Sequence, residues 1–212
     1  GRMFGDAHRD QIALDPQHAM QIINAGKLAL VLAIETSDLF NRLFTDPTNP
    51  PDAAAIDAMV QTYYDPPFDV RAVQLSHETD NGFAGAALIN PLFEVFQFAD
   101  NRYGPSCGID LDCSGRPRLG FDVFEDGDGV CKNARGLTAA GEDLLQSLMD
   151  RGMLIDIAHM PERAILRTYE LARQRAFDPL FPSHTKLRDM ETTYGGTNRH
   201  VIEHSVPAWV VQ

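Results

Sequence analysis

The sequence has no long apolar run, few basic residues and only three cysteines, and each shortage excludes a class of protein. Its most apolar stretch, residues 28–34, stops at Glu35, whereas a membrane-spanning helix needs about 20 apolar residues. We therefore expect no membrane span. Lysine and arginine number 18 against 30 acidic residues, for a formal net charge of −12. Without a basic stripe to follow a phosphate backbone, we expect neither nucleic acid nor anionic lipid as a partner.

The three cysteines, Cys107, Cys113 and Cys131, all lie in one segment rich in Gly and Asp. They allow one disulfide and leave one thiol over, and their spacing does not choose the pair. A disulfide would indicate an oxidising compartment, so an exported or periplasmic protein and a cytoplasmic one stand as equal alternatives. The first residues lack the apolar core of a signal peptide. The sequence also lacks the motifs of serine hydrolases and of nucleotide-binding loops.

Short apolar runs alternate with amphipathic segments, which is the pattern of βα units around a parallel sheet. Helices are predicted at residues 15–26, 53–64, 138–152 and 161–176. The strands predicted after them lie at residues 28–34, 70–75, 153–158 and 180–183, and a fifth is predicted at 208–211. We predict an α/β fold of the (β/α)8 TIM-barrel type. A closed barrel takes about 250 residues, so we expect this chain to form only part of one.

Residues 1–212 are predicted to form one such partial-barrel domain, interrupted by a long insertion at about residues 90–136. The insertion is rich in Gly, Asp and Phe and shows little periodicity. We interpret it as a loop at the barrel mouth, with one short helix near residues 93–98. The sequence leaves a homodimer open as the assembly state.

Four consecutive predicted strands are followed by chemically useful side chains, namely Glu35, His77, His159 and His184. The carboxyl ends of parallel strands meet at one edge, so these side chains are expected in one pocket. A histidine after a strand is often only a polar loop residue, and Glu35 also suits a helix start. The coincidence of four favours a site. Carboxylate and imidazole together suit Zn²⁺ and, less selectively, other divalent metals, which activate water for hydrolysis.

Five segments resemble motifs of the membrane (renal) dipeptidase family. Residues 136–141 read Gly-Leu-Thr-Ala-Ala-Gly, and residues 151–159 read Arg-Gly-Met-Leu-Ile-Asp-Ile-Ala-His. Residues 181–184 are Phe-Pro-Ser-His and resemble the F-S-H motif of the family. Upstream, residues 25–35 open with Ala-Gly-Lys and end in Glu, and residues 75–77 are Leu-Ser-His. The resemblance extends from about residue 15 to residue 199.

The resemblance implies a zinc-dependent hydrolase of dipeptides or related small amides, with one or two metal ions. It implies that Glu35 bridges two metals and that His159 and His184 complete the coordination of one of them. His77 would contact the substrate and polarise the scissile carbonyl. An arginine after the last metal histidine is expected to bind a substrate carboxylate, since Arg offers bidentate geometry. We assign that role to Arg199, with Arg188 as the alternative and a solvated surface role equally consistent with either.

Several positions depart from the family pattern. His8-Arg9-Asp10 matches the letters His-x-Asp, but it follows no apolar run, so we do not expect a ligand pair there. The Asp of the last family strand has no counterpart. Glu35 is followed by Thr-Ser instead of Gly-Gly, and residues 80–83 read Asp-Asn-Gly-Phe instead of the expected Thr-Pro-Trp. The alternatives are therefore hydrolysis of lactones or N-acyl compounds, and a non-catalytic barrel scaffold. Asp156 is interpreted as structural, or as a partner of a metal ligand.

Overall fold

The computed structural model describes residues 10–40, 48–88, 123–124, 132–185, 187 and 203–211. The helices are α1 (Pro16–Asn24), α2 (Ala53–Tyr64), α3 (Ala139–Asp150) and α4 (Glu162–Gln174). The strands are β1 (Asp10–Ile12), β2 (Leu28–Leu30), β3 (Leu32–Ile34), β4 (Val70–Gln74), β5 (Val123–Phe124), β6 (Lys132–Asn133), β7 (Leu154–Asp156) and β8 (Leu180–Phe181). Each of the four predicted helices is present within a few residues of its expected bounds.

Parallel strands form the centre of the described fold. A four-stranded sheet has the order β3-β4-β7-β8, and every neighbouring pair in it is parallel. A second parallel pair joins β1 to β2, while β5 and β6 pair antiparallel. The prediction of an α/β fold with helical crossovers is confirmed. The described strands do not close into a barrel, so the barrel itself remains a proposal.

The helices begin where the sequence supplies a capping oxygen. The side chains of Asp15, Asp52 and Thr138 each accept a hydrogen bond from the backbone N–H three residues further on, at 2.7 to 3.0 Å. Such a cap satisfies a backbone donor that has no partner within the helix. Gly152 follows α3 with a φ of +64°, a conformation that glycine adopts without strain. The chain therefore turns at once from α3 into β7.

The core lies where α2 and α3 pack together against the four-stranded sheet. The largest fully buried apolar side chains of this core are Leu39, Ile56, Leu75, Phe83, Leu144, Leu145, Leu148 and Met153. Asp57 on α2 accepts hydrogen bonds from Ser147 and Arg151, at 2.7 and 2.6 Å, and so links the two helices at their surface. None of the helices in the described part of the chain has the length and hydrophobicity needed to cross a bilayer.

The predicted strand at residues 208–211 is wrong, because Ala208–Val211 is a 3₁₀ helix. Trp and Val favour strands, but no strand among the described residues pairs with this segment. Instead the N–H of Val210 donates to the carbonyl of Pro207, and the fixed φ of proline suits such a turn. The hydroxyl of Tyr169 donates to the Val210 carbonyl at 2.7 Å and holds the turn against α4.

Two further predictions need correction near the amino end. The strand predicted at residues 28–34 is divided at Val31 into β2 and β3, which pair with different strands. Sequence reasoning also missed β1, whose first residue, Asp10, pairs with Leu28. Asp10 thus lies at the amino-terminal edge of its strand pair, away from the end that carries Glu35. His8 lies outside the described residues.

Most of the predicted insertion, including the helix near residues 93–98 and the three cysteines, lies outside the described residues. Of residues 90–136, the structure describes 123–124 and 132–136. This described part contains the short antiparallel pair of β5 and β6, which was not predicted. The loop interpretation of the remainder, and the single-domain reading of the chain, stay predictions.

Candidate metal centre

The four side chains predicted to share a pocket all lie beyond the carboxyl ends of strands in the four-stranded sheet. Glu35 follows β3 directly. His77, His159 and His184 each come three residues after the last residue of β4, β7 and β8, respectively. Because these four strands are parallel neighbours, their carboxyl ends bring the side chains to one edge of the sheet. The structure therefore places the predicted residues together.

The ligand atoms of these side chains approach one another closely. Oε1 of Glu35 lies 3.3 Å from Nε2 of His77 and 3.3 Å from Nε2 of His184. Nε2 of His159 lies 2.9 Å from Nε2 of His184. Glu35, His77 and His159 each offer one ligand atom, and these atoms lie within 4.8 Å of one another. Glu35, His77 and His159 thus form one group of possible ligands, and His184 contacts two of its members.

This donor set fits a first-row divalent cation. With metal–nitrogen distances of about 2.0–2.1 Å, the ligand atoms of a tetrahedral site are about 3.3–3.4 Å apart. The two contacts of Glu35, each at 3.3 Å, have that length, and the contact between His159 and His184 is somewhat shorter. Imidazole and carboxylate ligands together suit zinc and its neighbours in the first row.

His159 is the most buried member of the group, with 7% of its surface exposed. Burial, together with the nearby His204, His77 and His184, lowers the pKa of His159 to about 3 from an ordinary value of 6.5. The imidazole is therefore neutral at pH 7 and keeps a lone pair for a metal. The residue has a backbone φ of +61°, an uncommon conformation for a residue other than glycine. Its carbonyl accepts a hydrogen bond from Ala87 at 2.7 Å, which supports this conformation.

His204 is a member of the cluster that sequence reasoning missed. Its Nε2 lies 3.3 Å from Nε2 of His159, and the two ring centroids are 4.3 Å apart. The residue follows no predicted strand, so the strand-end pattern that identified the other histidines gives no indication of it. Only the three-dimensional path of residues 203–207 brings it to the cluster.

Asp156, at the end of β7, positions the residues that precede two of the histidines. Its Oδ1 accepts a hydrogen bond from the N–H of Ala158 at 3.0 Å and another from the N–H of Ser183 at 2.9 Å. The carboxylate is buried. It ties together the backbones that lead into His159 and His184, which confirms its interpretation as a structural residue.

Ser183 adds a direct contact to the last histidine of the sheet. Its hydroxyl lies 2.7 Å from Nδ1 of His184. This leaves Nε2, on the opposite side of the ring, to contact Glu35 and His159. A hydrogen bond at one ring nitrogen fixes both the orientation and the tautomer of a metal-binding histidine. Ser183 is thus suited to orient His184.

Two positions that depart from the family pattern contact each other beside the site. Ser37 Oγ accepts a hydrogen bond from the N–H of Glu78 at 3.0 Å, and the Ser37 carbonyl accepts one from the Asn81 side chain at 3.3 Å. Asn81 also donates to the carbonyl of Leu75 at 2.7 Å. The loops that follow Glu35 and His77 are therefore joined by side chains that Gly and Pro could not replace.

A cavity of about 280 Å³ lies against the same sheet. Glu35, Asp156 and Ser183 line it, together with residues of β3, β4 and β8. Arg199 and Arg188, the two candidates for a substrate carboxylate, lie outside the described residues. Their role therefore stays a prediction.

Comparison with known proteins agrees with the sequence motifs. Residues 123–195 match the family model of membrane dipeptidase, peptidase family M19, and this range contains His159 and His184. No curated protein matches the chain. The chain covers 36–40% of the length of the solved structures described next.

Three solved structures share the fold. The probable dipeptidase PvdM from Pseudomonas aeruginosa has a TM-score of 0.56 and 18% identity, over 97% of this chain and 36% of that one. A metallo peptidase from Rhodobacter sphaeroides, liganded with a phosphinate mimic of the dipeptide L-Ala-D-Ala, has a TM-score of 0.52 and 12% identity. The match covers 97% of this chain and 40% of that one. An amidohydrolase from Pseudomonas aeruginosa has a TM-score of 0.51 and 11% identity, over 95% of this chain and 40% of that one. The chain therefore resembles the membrane dipeptidase family in sequence over residues 123–195, as its motifs indicate, and it resembles these three solved structures in fold over almost its whole length.

Proposed function

We propose that this protein is a metal-dependent hydrolase that cleaves dipeptides or related small amides with metal-activated water. The observation that carries the proposal is the meeting of one carboxylate and three imidazoles from four neighbouring parallel strands, at the separations of metal ligands. The family match and the fold of the solved dipeptidase and metallo peptidase support it.

In this proposal Glu35, His159 and His184 would hold Zn²⁺, as one or two ions. When bound, such a cation acidifies water and polarises a carbonyl oxygen. The low pKa of His159 keeps its ring neutral and ready to coordinate. Ser183 holds the ring of His184 through Nδ1, and Asp156 fixes the backbone in front of both histidines. These residues would hold the ligand atoms in place before the cation binds, which reduces the entropic cost of assembling the site.

His77 is the member of the group that we assign to the substrate. It is partly exposed, with 28% of its side chain accessible. Its Nε2 contacts Glu35, and its ring centroid lies 4.4 Å from that of His159. Its imidazole would donate a hydrogen bond to the oxygen of the scissile carbonyl, where negative charge develops. Glu35, at 3.3 Å, would keep the ring in position for that bond. Arg199 remains the predicted partner of the substrate carboxylate.

The test combines metal analysis with a substrate screen on the protein and its His159→Ala variant. The first substrate is L-Ala-D-Ala, because a mimic of this dipeptide is bound by the metallo peptidase of similar fold. We expect about one or two zinc equivalents and release of free alanine. Both should fall sharply in His159→Ala, with hydrolysis reduced at least about 100-fold. His18→Ala, on α1, is the matched control and should behave like the unchanged protein.

Other outcomes would select the alternatives. If the protein binds metal and cleaves an N-acyl amino acid or a lactone but no dipeptide, the proposed metal site stands and the proposed substrate class is wrong. If the unchanged protein contains no metal after incubation with Zn²⁺, the hydrolase proposal is contradicted. The non-catalytic barrel scaffold is then the remaining alternative.

A further inference from the structure

We infer that His204 is a third imidazole ligand of the metal that His159 and His184 are proposed to hold. The inference rests on the proposed function and extends its ligand set. His204 lies outside residues 123–195, the part of the chain that matches the family model. It also lies outside every motif that carries the resemblance.

A single nitrogen atom of His159 makes two close contacts with other imidazoles. Nε2 of His159 lies 2.9 Å from Nε2 of His184 and 3.3 Å from Nε2 of His204. In a neutral imidazole that nitrogen carries either one hydrogen or one lone pair. It therefore makes one well-aligned hydrogen bond, and it serves two partners only as a shared and weaker bond. A cation that accepts a lone pair from each of the three nitrogens explains both contacts.

The separation between the nitrogens of His159 and His204 is that of two ligands of one metal. The distance of 3.3 Å between the nitrogens of His159 and His204 equals the distance from Glu35 Oε1 to His184 Nε2. Both agree with the edge of about 3.3–3.4 Å expected between ligands of a tetrahedral zinc site. The rings of His159 and His204 meet edge to face, at 71°, so they are not stacked on each other.

The backbone around His204 is anchored by hydrogen bonds of Glu203 and of His204 itself. The preceding residue, Glu203, has only 2% of its surface exposed. Its carboxylate accepts hydrogen bonds from the N–H groups of Leu88 and Asn133, at 2.8 and 2.9 Å. The carbonyl of His204 accepts one from the hydroxyl of Thr185 at 2.9 Å. A buried carboxylate that is bonded to two backbone donors holds its segment firmly, so His204 is presented to the cluster in one position.

A ligand set of Glu35 and three imidazoles still leaves room for chemistry, because zinc in catalytic sites expands to five ligands. This arrangement gives the site a nitrogen-rich donor set that the motifs alone do not predict. We expect it to favour Co²⁺ and Zn²⁺ over Mg²⁺ and Mn²⁺, which prefer oxygen ligands.

The test is a titration with Co²⁺ alone, followed by its visible absorption, in the unchanged protein and in the variants His204→Gln and His18→Ala. If His204 is a ligand, His204→Gln weakens Co²⁺ binding by more than about tenfold, the least that loss of even an outer partner produces. The ligand-field bands should also shift, because a nitrogen ligand is lost. His18→Ala should retain both the affinity and the spectrum. Far-UV circular dichroism of each variant reports folding.

The results separate the two proposals. No Co²⁺ binding by the unchanged protein would remove the proposed metal site altogether. Binding with the same affinity and spectrum in His204→Gln would overturn only the role of His204. If His204→Gln does not fold, the His77→Gln variant is loaded with Co²⁺ instead. NMR then counts the exchangeable imidazole N–H signals that Co²⁺ shifts. Three signals support His204 as a ligand beside His159 and His184, and two overturn it.

Discussion

Single side chains at the ends of the strands determine how this site is built. Asp156 illustrates the point, because one carboxylate oxygen holds the backbone in front of two of the clustered histidines. The residue makes no contribution to an apolar core, and burying a carboxylate is costly unless it is hydrogen-bonded. Its two backbone donors satisfy that need. The position is thus explained by the geometry of His159 and His184 rather than by packing.

Replacement of Asp156 by Ala should lower both stability and metal affinity. The buried N–H of Ala158 would lose its acceptor, at a cost of about 1–3 kcal/mol in the free energy of unfolding. Zinc affinity should fall about 10–100-fold, as is usual when a residue that orients metal ligands is removed. Urea denaturation and competition with a chromophoric chelator measure the two effects. Asp156→Asn retains an acceptor oxygen and should show a smaller change in both. Unchanged zinc affinity in Asp156→Ala would refute the positioning role.

The depressed pKa of His159 predicts a pH dependence of stability in the metal-free protein. Between about pH 6.5 and pH 3 the unfolded chain binds a proton at this imidazole while the folded protein does not. The stability present above pH 6.5 should therefore decline on acidification, by up to about 1.4 kcal/mol per pH unit from this residue. Urea denaturation in EDTA at pH 7.5 and pH 5 should show a steeper loss in the unchanged protein than in His159→Gln. Equal losses would mean that His159 is not protected from protonation.

Among the elements, the start of α3 explains the Gly-Leu-Thr-Ala-Ala-Gly motif. The Thr138 hydroxyl caps the helix and also donates to the carbonyl of Gly82 at 2.7 Å, while the Thr138 N–H donates to the carbonyl of Phe83 at 2.9 Å. A Cβ on Gly141 would lie 2.1 Å from that Phe83 oxygen. The motif therefore docks the helix directly on the loop that follows His77.

Gly141→Ala should destabilise the protein although alanine is the better helix former. The gain in helix propensity is about 1 kcal/mol, but the clash is with backbone, which cannot rotate away. We expect a net loss of about 1–3 kcal/mol in the free energy of unfolding, measured by urea denaturation. Gly136→Ala is the matched control from the same motif, because its new Cβ would meet Arg163 at an ordinary 3.5 Å. Equal stability of the two variants would contradict this account of the motif.

At the scale of the whole molecule, the site joins segments that are far apart in the chain. Glu35 and His204 are separated by most of the sequence, and the cluster draws on the ends of four strands and on the segment at residues 203–207. Such a site exists only in the folded chain. A metal that binds it therefore stabilises the folded state by mass action.

Zinc should accordingly raise the melting temperature of the protein, and EDTA should reverse the change. At a free zinc concentration 100 times the Kd, the expected stabilisation is about 2.7 kcal/mol. His159→Ala should show little or no shift with zinc, while His18→Ala should shift like the unchanged protein. Calorimetric scans with and without zinc provide the measurement. A shift of the same size in His159→Ala would place the bound metal elsewhere.

The sequence by itself determined the helices, the parallel strands and four of the clustered side chains. These follow from local patterns, because apolar runs, capping residues and the residues that end each strand are close together in the chain. The same reasoning predicted a strand at residues 208–211, since β propensity does not say whether a partner strand is present. It also predicted one strand where the structure has β2 and β3, because no local pattern marks the change of partner strand at Val31.

Only the tertiary structure decided the rest of the site. The approach of His204 to His159, the left-handed backbone of His159 and the two hydrogen bonds of Asp156 all join residues that no periodic pattern relates. Glu203 reaches backbone donors 115 and 70 residues away. Contacts of this kind arise when packed elements bring polar groups together in a buried space where each must find a partner. The local pattern thus determined which strand ends carry the clustered side chains, and the packing decided that His204 approaches them.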